Sequence, residues 1–161
     1  METAIYGRLN NPRLGDVLWE LELASRSAKM EDVGRPSGLW VEHVMPQSWS
    51  AHWPLNGQMI PQNVATAPLL ASGELATFSD AIRQRNSRLH TLGNLTLVNR
   101  FLNPAASNGD FQAKLVEYRN SVLRLNRYFD GRVTWADDDI RERGETLGDL
   151  ICKIWPKPAK S

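Results

Sequence analysis

A glutamate and a histidine are adjacent in the sequence at Glu42-His43, and this pair is the first candidate for a catalytic function. An imidazole in an unfolded peptide has a pKa of about 6.5, so neutral rings are present at neutral pH and can accept a proton from water. Hydrolysis of a phosphodiester needs such a base, together with positive charge that a divalent cation on oxygen ligands can supply. The pair therefore favours a hydrolytic site. Two plainer interpretations stay open: a histidine satisfied in the core, and a carboxylate that faces solvent.

Two asparagines downstream, Asn94 and Asn103, stand nine residues apart at predicted element boundaries. Asn94 follows Gly93, and an asparagine in a turn can adopt the left-handed conformation and cap local backbone groups. Asn103 precedes Pro104, which suits a helix start with the asparagine as N-cap. Local structure explains both residues, and these roles do not exclude a functional one.

Two short strands must position His43. Residues 39–45 are predicted to form a strand closed by Pro46, and side-chain alternation places His43 on one face and Glu42 on the other. A metal bound by Glu42 would therefore need backbone twist or a bulge there. Gly93-Asn94 predicts a turn that leads into a second strand over residues 95–98. The long segment between the two strands is then an insertion in one hairpin.

Helical periodicity covers most of the remaining chain. The first helix is predicted to start with Asn11 as N-cap and Pro12 at its first position. An unbroken seam predicts a single helix from Phe111 to Phe129, and the last helix opens at three aspartates and stops at Pro156, with Cys152 packed within it. The predicted apolar seams are Leu14, Val17, Leu18 and Leu21; Leu75, Phe78 and Ile82; Phe111, Leu115, Tyr118, Val122, Leu125 and Phe129; and Ile140, Leu147, Leu150 and Ile154.

The composition is that of an ordinary globular domain. The chain has 161 residues, enough to bury a core, and its single cysteine excludes an internal disulfide. A secretory signal and an apolar run long enough to span a bilayer are both missing from the sequence, so we expect a cytoplasmic protein. The net charge of +1 does not by itself indicate a partner with a phosphate backbone.

Several motifs together resemble the HNH (ββα-metal) nuclease domain at the C-terminus of GmrSD-type restriction proteins. The resemblance covers the chain from position 39 onward, and a nine-residue step such as that from Asn94 to Asn103 occurs between motif asparagines in some HNH nucleases. It rests on Val41-Glu42-His43-Val44-Met45-Pro46-Gln47, on His90-Thr91-Leu92-Gly93-Asn94-Leu95-Thr96-Leu97 with Asn103, on Phe111-Gln112-Ala113-Lys114, and on Trp135, Ile140, Arg143, Leu147 and Ile154-Trp155-Pro156.

The resemblance implies an α+β fold that is mainly helical, with a small ββα-metal hairpin core packed among several helices. It implies that His43 is the general base, that Glu42 and Asn103 hold a divalent metal, and that Asn94 braces the hairpin or the histidine through its amide. Mg²⁺ is the expected ion, with Mn²⁺ as the alternative, because oxygen ligands suit hard cations. The residues expected near nucleic acid are His90, Asn108, Lys114, Arg85 and Arg88, although the arginines could also form a solvated helix face.

These features predict an N-terminal helical extension over residues 1–38 and a nuclease domain over residues 39–161, as the C-terminal part of a larger protein. The predicted function is that of a metal-dependent DNA endonuclease, nicking or double-strand, in defence against foreign DNA. The expected partners are DNA and an N-terminal nucleotide-hydrolysing regulatory domain, with no membrane. Two alternatives remain: a catalytically silent nucleic-acid-binding domain with the same fold, and a helical protein–protein module with tryptophan anchors.

Overall fold

The computed structural model describes residues 4–27, 29, 34–66, 75–99 and 109–157. In that part of the chain the fold is mainly helical with one two-stranded sheet, which confirms the predicted α+β class. The elements in chain order are α1 (Asn11–Ala24), β1 (Leu39–His43), α2 (Gln62–Thr66), α3 (Leu75–Leu89), β2 (Leu95–Asn99), α4 (Phe111–Arg119), α5 (Arg124–Arg127) and α6 (Asp137–Ile154), with short 3-10 turns at Trp49–Ala51 and Leu92–Asn94.

The two strands form the predicted hairpin around a long insertion. β1 and β2 pair antiparallel, with His43 opposite Leu95 and Leu39 opposite Asn99. The first strand is shorter than the predicted 39–45 and ends at His43. Beyond it, the Val44 N–H still donates to the carbonyl of Asn94 at 2.8 Å in the same register, but the Asn94 N–H donates to the Thr91 carbonyl at 3.1 Å instead of back to Val44, so the regular ladder ends there.

Each face of the hairpin contacts its own hydrophobic cluster, because side chains alternate along a strand. Leu39 and Val41 pack with the cluster that holds Leu95 and Leu97, and Val98 belongs to the other one. The first of these clusters also joins α1 and α6 to the sheet; its buried members are Leu14, Leu18, Trp19, Leu21, Leu92, Leu95, Leu97, Leu123, Leu125 and Leu147. Burying a leucine contributes roughly 1.5–3 kcal/mol, so this shared cluster stabilises the packing of the hairpin with the two helices.

Helix α1 starts one residue earlier than predicted. The side chain of Asn10, rather than that of Asn11, accepts a hydrogen bond of 3.0 Å from the Arg13 N–H and caps the helix. The predicted seam faces inward, with Leu14, Leu18 and Leu21 fully buried. The boundary proposed after residue 38 stays a prediction, and α1 shares its core with both strands.

The single helix predicted from Phe111 to Phe129 is wrong, because α4 ends at Arg119 and α5 starts at Arg124. The hydroxyl oxygen of Ser121 accepts from the Leu123 N–H at 3.2 Å and from the Asn126 amide at 2.8 Å. Such local side-chain bonds compete with helical backbone bonds and favour a turn. Val122, predicted to be in the seam, is 73% exposed as a result.

Helix α6 follows its predicted seam except at Cys152. Ile140 and Leu147 are buried and Leu150 is partly buried, whereas Cys152 is exposed and does not pack in the core. In the predicted seam of α3, Ile82 is buried, and the side chains of Leu75 and Phe78 lie outside the described residues. No helix in the described ranges is both long and apolar enough to cross a membrane.

Candidate active site

His43 occupies the last position of β1, where it meets two other rings. Its Nε2 lies 3.4 Å from Nδ1 of His90, which follows directly after α3. Tyr6, from the segment before α1, packs edge-on against His43 with ring centroids 4.5 Å apart and stacks on His90 at 5.5 Å. Three parts of the chain that are distant in sequence therefore converge on one histidine.

The surroundings of His43 keep its ring neutral. Burial, the neighbouring His90 and the charge of Lys114 together lower the pKa of His43 from its usual 6.5 to about 4. Desolvation disfavours the charged imidazolium, and a nearby cation adds repulsion. At neutral pH the ring therefore carries a lone pair and can accept a proton.

Asn94 braces the backbone beside His43 rather than the ring itself. The side chain is fully buried, and its Oδ1 accepts from the Met45 N–H at 2.8 Å and from the Trp135 indole at 3.2 Å. Its Nδ2 donates to the carbonyls of Met45 at 2.9 Å and Leu89 at 3.0 Å. One amide thus ties the chain after β1 to the end of α3 and to the core. This geometry gives Asn94 a positioning role.

Helix α6 holds the turn that carries Asn94. Nη1 of Arg143 donates to the carbonyls of Gly93 at 2.8 Å and Leu95 at 2.7 Å. Burial lowers the pKa of Arg143 to about 10, so the guanidinium stays charged at neutral pH. A Cβ on Gly93 would lie 1.9 Å from the carbonyl oxygen of Ile140, so the close approach of turn and helix requires glycine.

Glu42 alternates to the strand face opposite His43 and forms an ion pair there. Its Oε1 lies 2.7 Å from Nζ of Lys114, which also donates to the backbone carbonyl of His43 at 2.6 Å. Only 2% of the Lys114 side chain is exposed, against 20% for Glu42. Burial lowers the pKa of Lys114, an effect that the Glu42 carboxylate opposes. Lys114, predicted to contact nucleic acid, thus lies inside the protein and secures β1 to α4.

The described residues do not assemble a complete site for a divalent cation. Within the described ranges, no group of three or more histidine, cysteine, aspartate or glutamate side chains is placed to hold a metal ion. Glu42, one of the two predicted ligands, is engaged by Lys114. The other, Asn103, and the predicted phosphate contact Asn108 lie outside the described residues. The predicted metal role of Glu42 and Asn103 stays a prediction.

The two predicted DNA-binding arginines lie at different depths. Arg85 is 4% exposed, donates to Asp137 at 2.7 Å and to the carbonyls of Trp53 and Pro54, and lies over the ring of Trp49. Its N–H donors are bound to these acceptors inside the protein, and a phosphate would have to displace the acceptors to reach Arg85. Arg88 is partly exposed, 3.7 Å from Asp137. His90, also predicted near phosphate, lies beside His43.

Three residues that position the site had no functional prediction from this sequence. Tyr6 lies 37 positions before His43, and nothing in its local sequence indicates the contact. Asn126, fully buried, donates to the Leu97 carbonyl at 2.9 Å and accepts from Thr96, so it braces β2. Asn126 and Arg143 do carry a sequence signal, because each is a polar residue beside or within an apolar helical seam, and such a residue needs a buried partner.

One family model matches the chain. It is described as GmrSD restriction endonucleases, C-terminal domain, and it matches residues 1–150. The match includes α1 and Tyr6, which precede the motifs that carried the resemblance from position 39. Comparisons with curated proteins and with solved structures gave no match.

Proposed function

The chain belongs to the family of GmrSD restriction endonuclease C-terminal domains, and on this premise we propose that it is a DNA endonuclease domain of the HNH type. His43 is the general base that accepts a proton from the attacking water. The observation that carries this proposal is the placement of His43: a neutral imidazole at the end of a strand whose following residues are fixed by Asn94. A base held on a rigid hairpin keeps its geometry as the reaction proceeds, which general acid–base catalysis requires.

In the proposed reaction, water attacks phosphorus while His43 removes its proton. A new phosphorus–oxygen bond forms, the bond to the leaving sugar oxygen breaks, and that oxygen takes a proton from solvent. In the free protein the low pKa makes His43 a weak base. A phosphodiester beside the ring brings negative charge, which favours the imidazolium and raises the pKa towards neutrality. Substrate binding therefore strengthens the base where it is needed.

A divalent cation remains part of the proposal, with Mg²⁺ expected first and Mn²⁺ as a substitute. When bound, such an ion neutralises charge on the phosphate. Glu42 offers one oxygen, Oε2, beyond the one that contacts Lys114, and Asn103 is the second expected ligand.

We further propose that the domain acts in defence against foreign DNA, joined to an N-terminal nucleotide-hydrolysing regulatory domain in a larger protein. The net charge of +1 supports only the need for a partner in DNA binding, because affinity for a phosphate backbone scales with the number of phosphates neutralised. A domain of such low charge is expected to bind DNA weakly alone and to gain affinity from its partner.

A catalytically silent DNA-binding domain is the second candidate, and one observation favours it. The Glu42 carboxylate, expected to hold the metal, is already neutralised by Lys114. This ion pair is what we would expect in a domain that keeps the hairpin but no longer binds a metal.

Supercoiled plasmid cleavage tests the two candidates against each other. We expect relaxed or linear product with Mg²⁺ or Mn²⁺ and none with EDTA. Plasmid binding in a gel-shift assay with no cleavage at any metal concentration would favour the silent domain. Cleavage that persists in EDTA would contradict the metal requirement.

A further inference from the structure

The contact between His43 and His90 has a consequence for which nitrogen of His43 is free. A neutral imidazole carries a hydrogen on one ring nitrogen and a lone pair on the other. Nε2 of His43 faces Nδ1 of His90 at 3.4 Å. The other nitrogen of His43, Nδ1, has no hydrogen-bond partner among the residues that the structure describes. Nδ1 is therefore the nitrogen of His43 that is available to accept a proton.

Only one of the two hydrogen arrangements lets His43 act as a base. If Nε2–H of His43 donates to Nδ1 of His90, the lone pair of His43 is on its open Nδ1. If His90 donates instead, Nδ1 of His43 carries the hydrogen and cannot accept a proton from water. The hydrogen bond made by one ring nitrogen sets the chemistry of the other.

We infer that His90 and Tyr6 are positioning residues that hold His43 in the tautomer with hydrogen on Nε2, so that Nδ1 is free to accept a proton. This inference rests on the proposed role of His43 as base. His90 acts as the acceptor, with its own hydrogen on Nε2. His90 thereby acts through His43 and not on phosphate.

Tyr6 supplies the mechanical part of this arrangement. The backbone N–H groups of Ile5 and Tyr6 both donate to the carbonyl of His90, at 2.9 and 3.1 Å. The Tyr6 ring then contacts both imidazoles, edge-on to His43 and stacked on His90. Aromatic pairs in these geometries are stabilised beyond their buried area. The segment before α1 thus fixes the angle between the planes of the two histidine rings, which is 85°.

Nitrogen-15 NMR of the imidazoles, recorded on the whole chain without DNA, tests the inference. The chain has three histidines, so variants assign every ring. At pH 8, where a ring with the usual pKa of about 6.5 is neutral, we expect His43 in the Nε2–H form. His90→Leu removes the acceptor, and His43 should then populate both tautomers. His90→Asn places an amide oxygen near the former Nδ1 and should restore the Nε2–H form.

Tyr6→Ala leaves both histidines in the chain and gives an independent result. We expect a weaker tautomer preference at His43, whereas Tyr6→Phe keeps the ring and the preference. His52→Leu is the matched control, because His52 is exposed and does not belong to the ring cluster. Circular dichroism confirms that each variant is folded.

Cleavage kinetics add a second readout. In His90→Leu, kcat should fall by at least about tenfold with little change in KM, because the base is misoriented while DNA contacts persist. His90→Asn should recover most of that loss. The Nδ1–H form of His43 in the wild type, or an unchanged tautomer in His90→Leu, would overturn the inference. The tautomer of His43 is measured without substrate. A wild type that fails to cleave DNA would therefore contradict the proposed function but would not change the NMR result on the tautomer.

Discussion

The Oδ1 atom of Asn94 accepts a hydrogen bond of 2.8 Å from the backbone N–H of Met45, two residues beyond His43. The same amide donates to the Met45 carbonyl at 2.9 Å, so both backbone groups of one residue are held by one side chain. This pairing replaces the β-ladder at the point where β1 ends. The position of the proposed base is therefore set by a buried residue 51 positions away.

Replacement of Asn94 by alanine should destabilise the protein by roughly 3–5 kcal/mol, because it leaves several buried backbone and indole groups without partners. Urea unfolding followed by circular dichroism measures the change. Asn120→Ala is the control, since Asn120 is exposed at the end of α4 and should change stability by less than about 0.5 kcal/mol. A loss below about 1 kcal/mol in Asn94→Ala would contradict the bracing role.

Removing one partner of the Lys114–Glu42 pair should lower the free energy of unfolding more than removing both partners does. Lys114→Met leaves the His43 carbonyl and the Glu42 carboxylate without their donor, and losing one partner of a buried pair costs about 3–5 kcal/mol. The double variant Glu42→Gln/Lys114→Met should recover part of that loss. Thermal unfolding of Glu42→Gln, Lys114→Met and the double variant gives the coupling energy between the two residues. Strict additivity would show that the pair does not hold β1 to α4.

The low pKa of His43 predicts acid sensitivity of the fold. The unfolded chain binds a proton at this residue below a pKa of about 6.5, and the folded protein resists doing so until about pH 4. The contribution of His43 to the free energy of unfolding is thus fully present above its pKa in the unfolded chain. It is lost as the pH falls from there to its pKa in the folded protein. The loss amounts to roughly 3 kcal/mol by linkage.

Urea midpoints between pH 7.5 and 4 test this dependence. His43→Leu should show a shallower fall in stability over that range than the wild type, and His52→Leu should follow the wild type. Parallel curves for His43→Leu and the wild type would mean that His43 titrates normally.

Replacing the glycine in the turn should lower the stability of the protein, whereas replacing a glycine in α6 should raise it. Gly93→Ala forces a methyl group against the Ile140 carbonyl and should destabilise by about 1–3 kcal/mol or more. Gly148, within α6, has no heavy atom within 4 Å of an added Cβ, so Gly148→Ala should stabilise the helix by about 0.5–1 kcal/mol. The melting temperatures of the two variants measure these changes. An unchanged melting temperature in Gly93→Ala would argue against the tight contact of turn and helix.

Hydrophobic periodicity predicted the two strands and helices α1, α3 and α6, because their apolar residues face the clusters at helical or strand spacing. It did not predict the short helix α2. It failed where a single polar side chain redirects the backbone. Ser121 interrupts an otherwise regular seam, and its hydroxyl competes with helical hydrogen bonds.

The candidate site was only partly predictable for a related reason. His43 and Asn94 carry their own local patterns, a strand end and a turn. The contact of Tyr6 with the histidines depends on how the segment before α1 packs against His90, a long-range arrangement that no local pattern encodes. The engagement of Glu42 by Lys114 joins residues 72 positions apart, and no local pattern indicates it either.

Single-turnover cleavage of plasmid DNA by wild type, His43→Ala and His52→Ala, each with Mg²⁺ and verified as folded, tests whether His43 is the general base. We predict that His43→Ala loses at least about a hundredfold in rate, the scale of a lost general base. His52→Ala should cleave like the wild type. Equal rates for His43→Ala and the wild type would show that His43 is not the base.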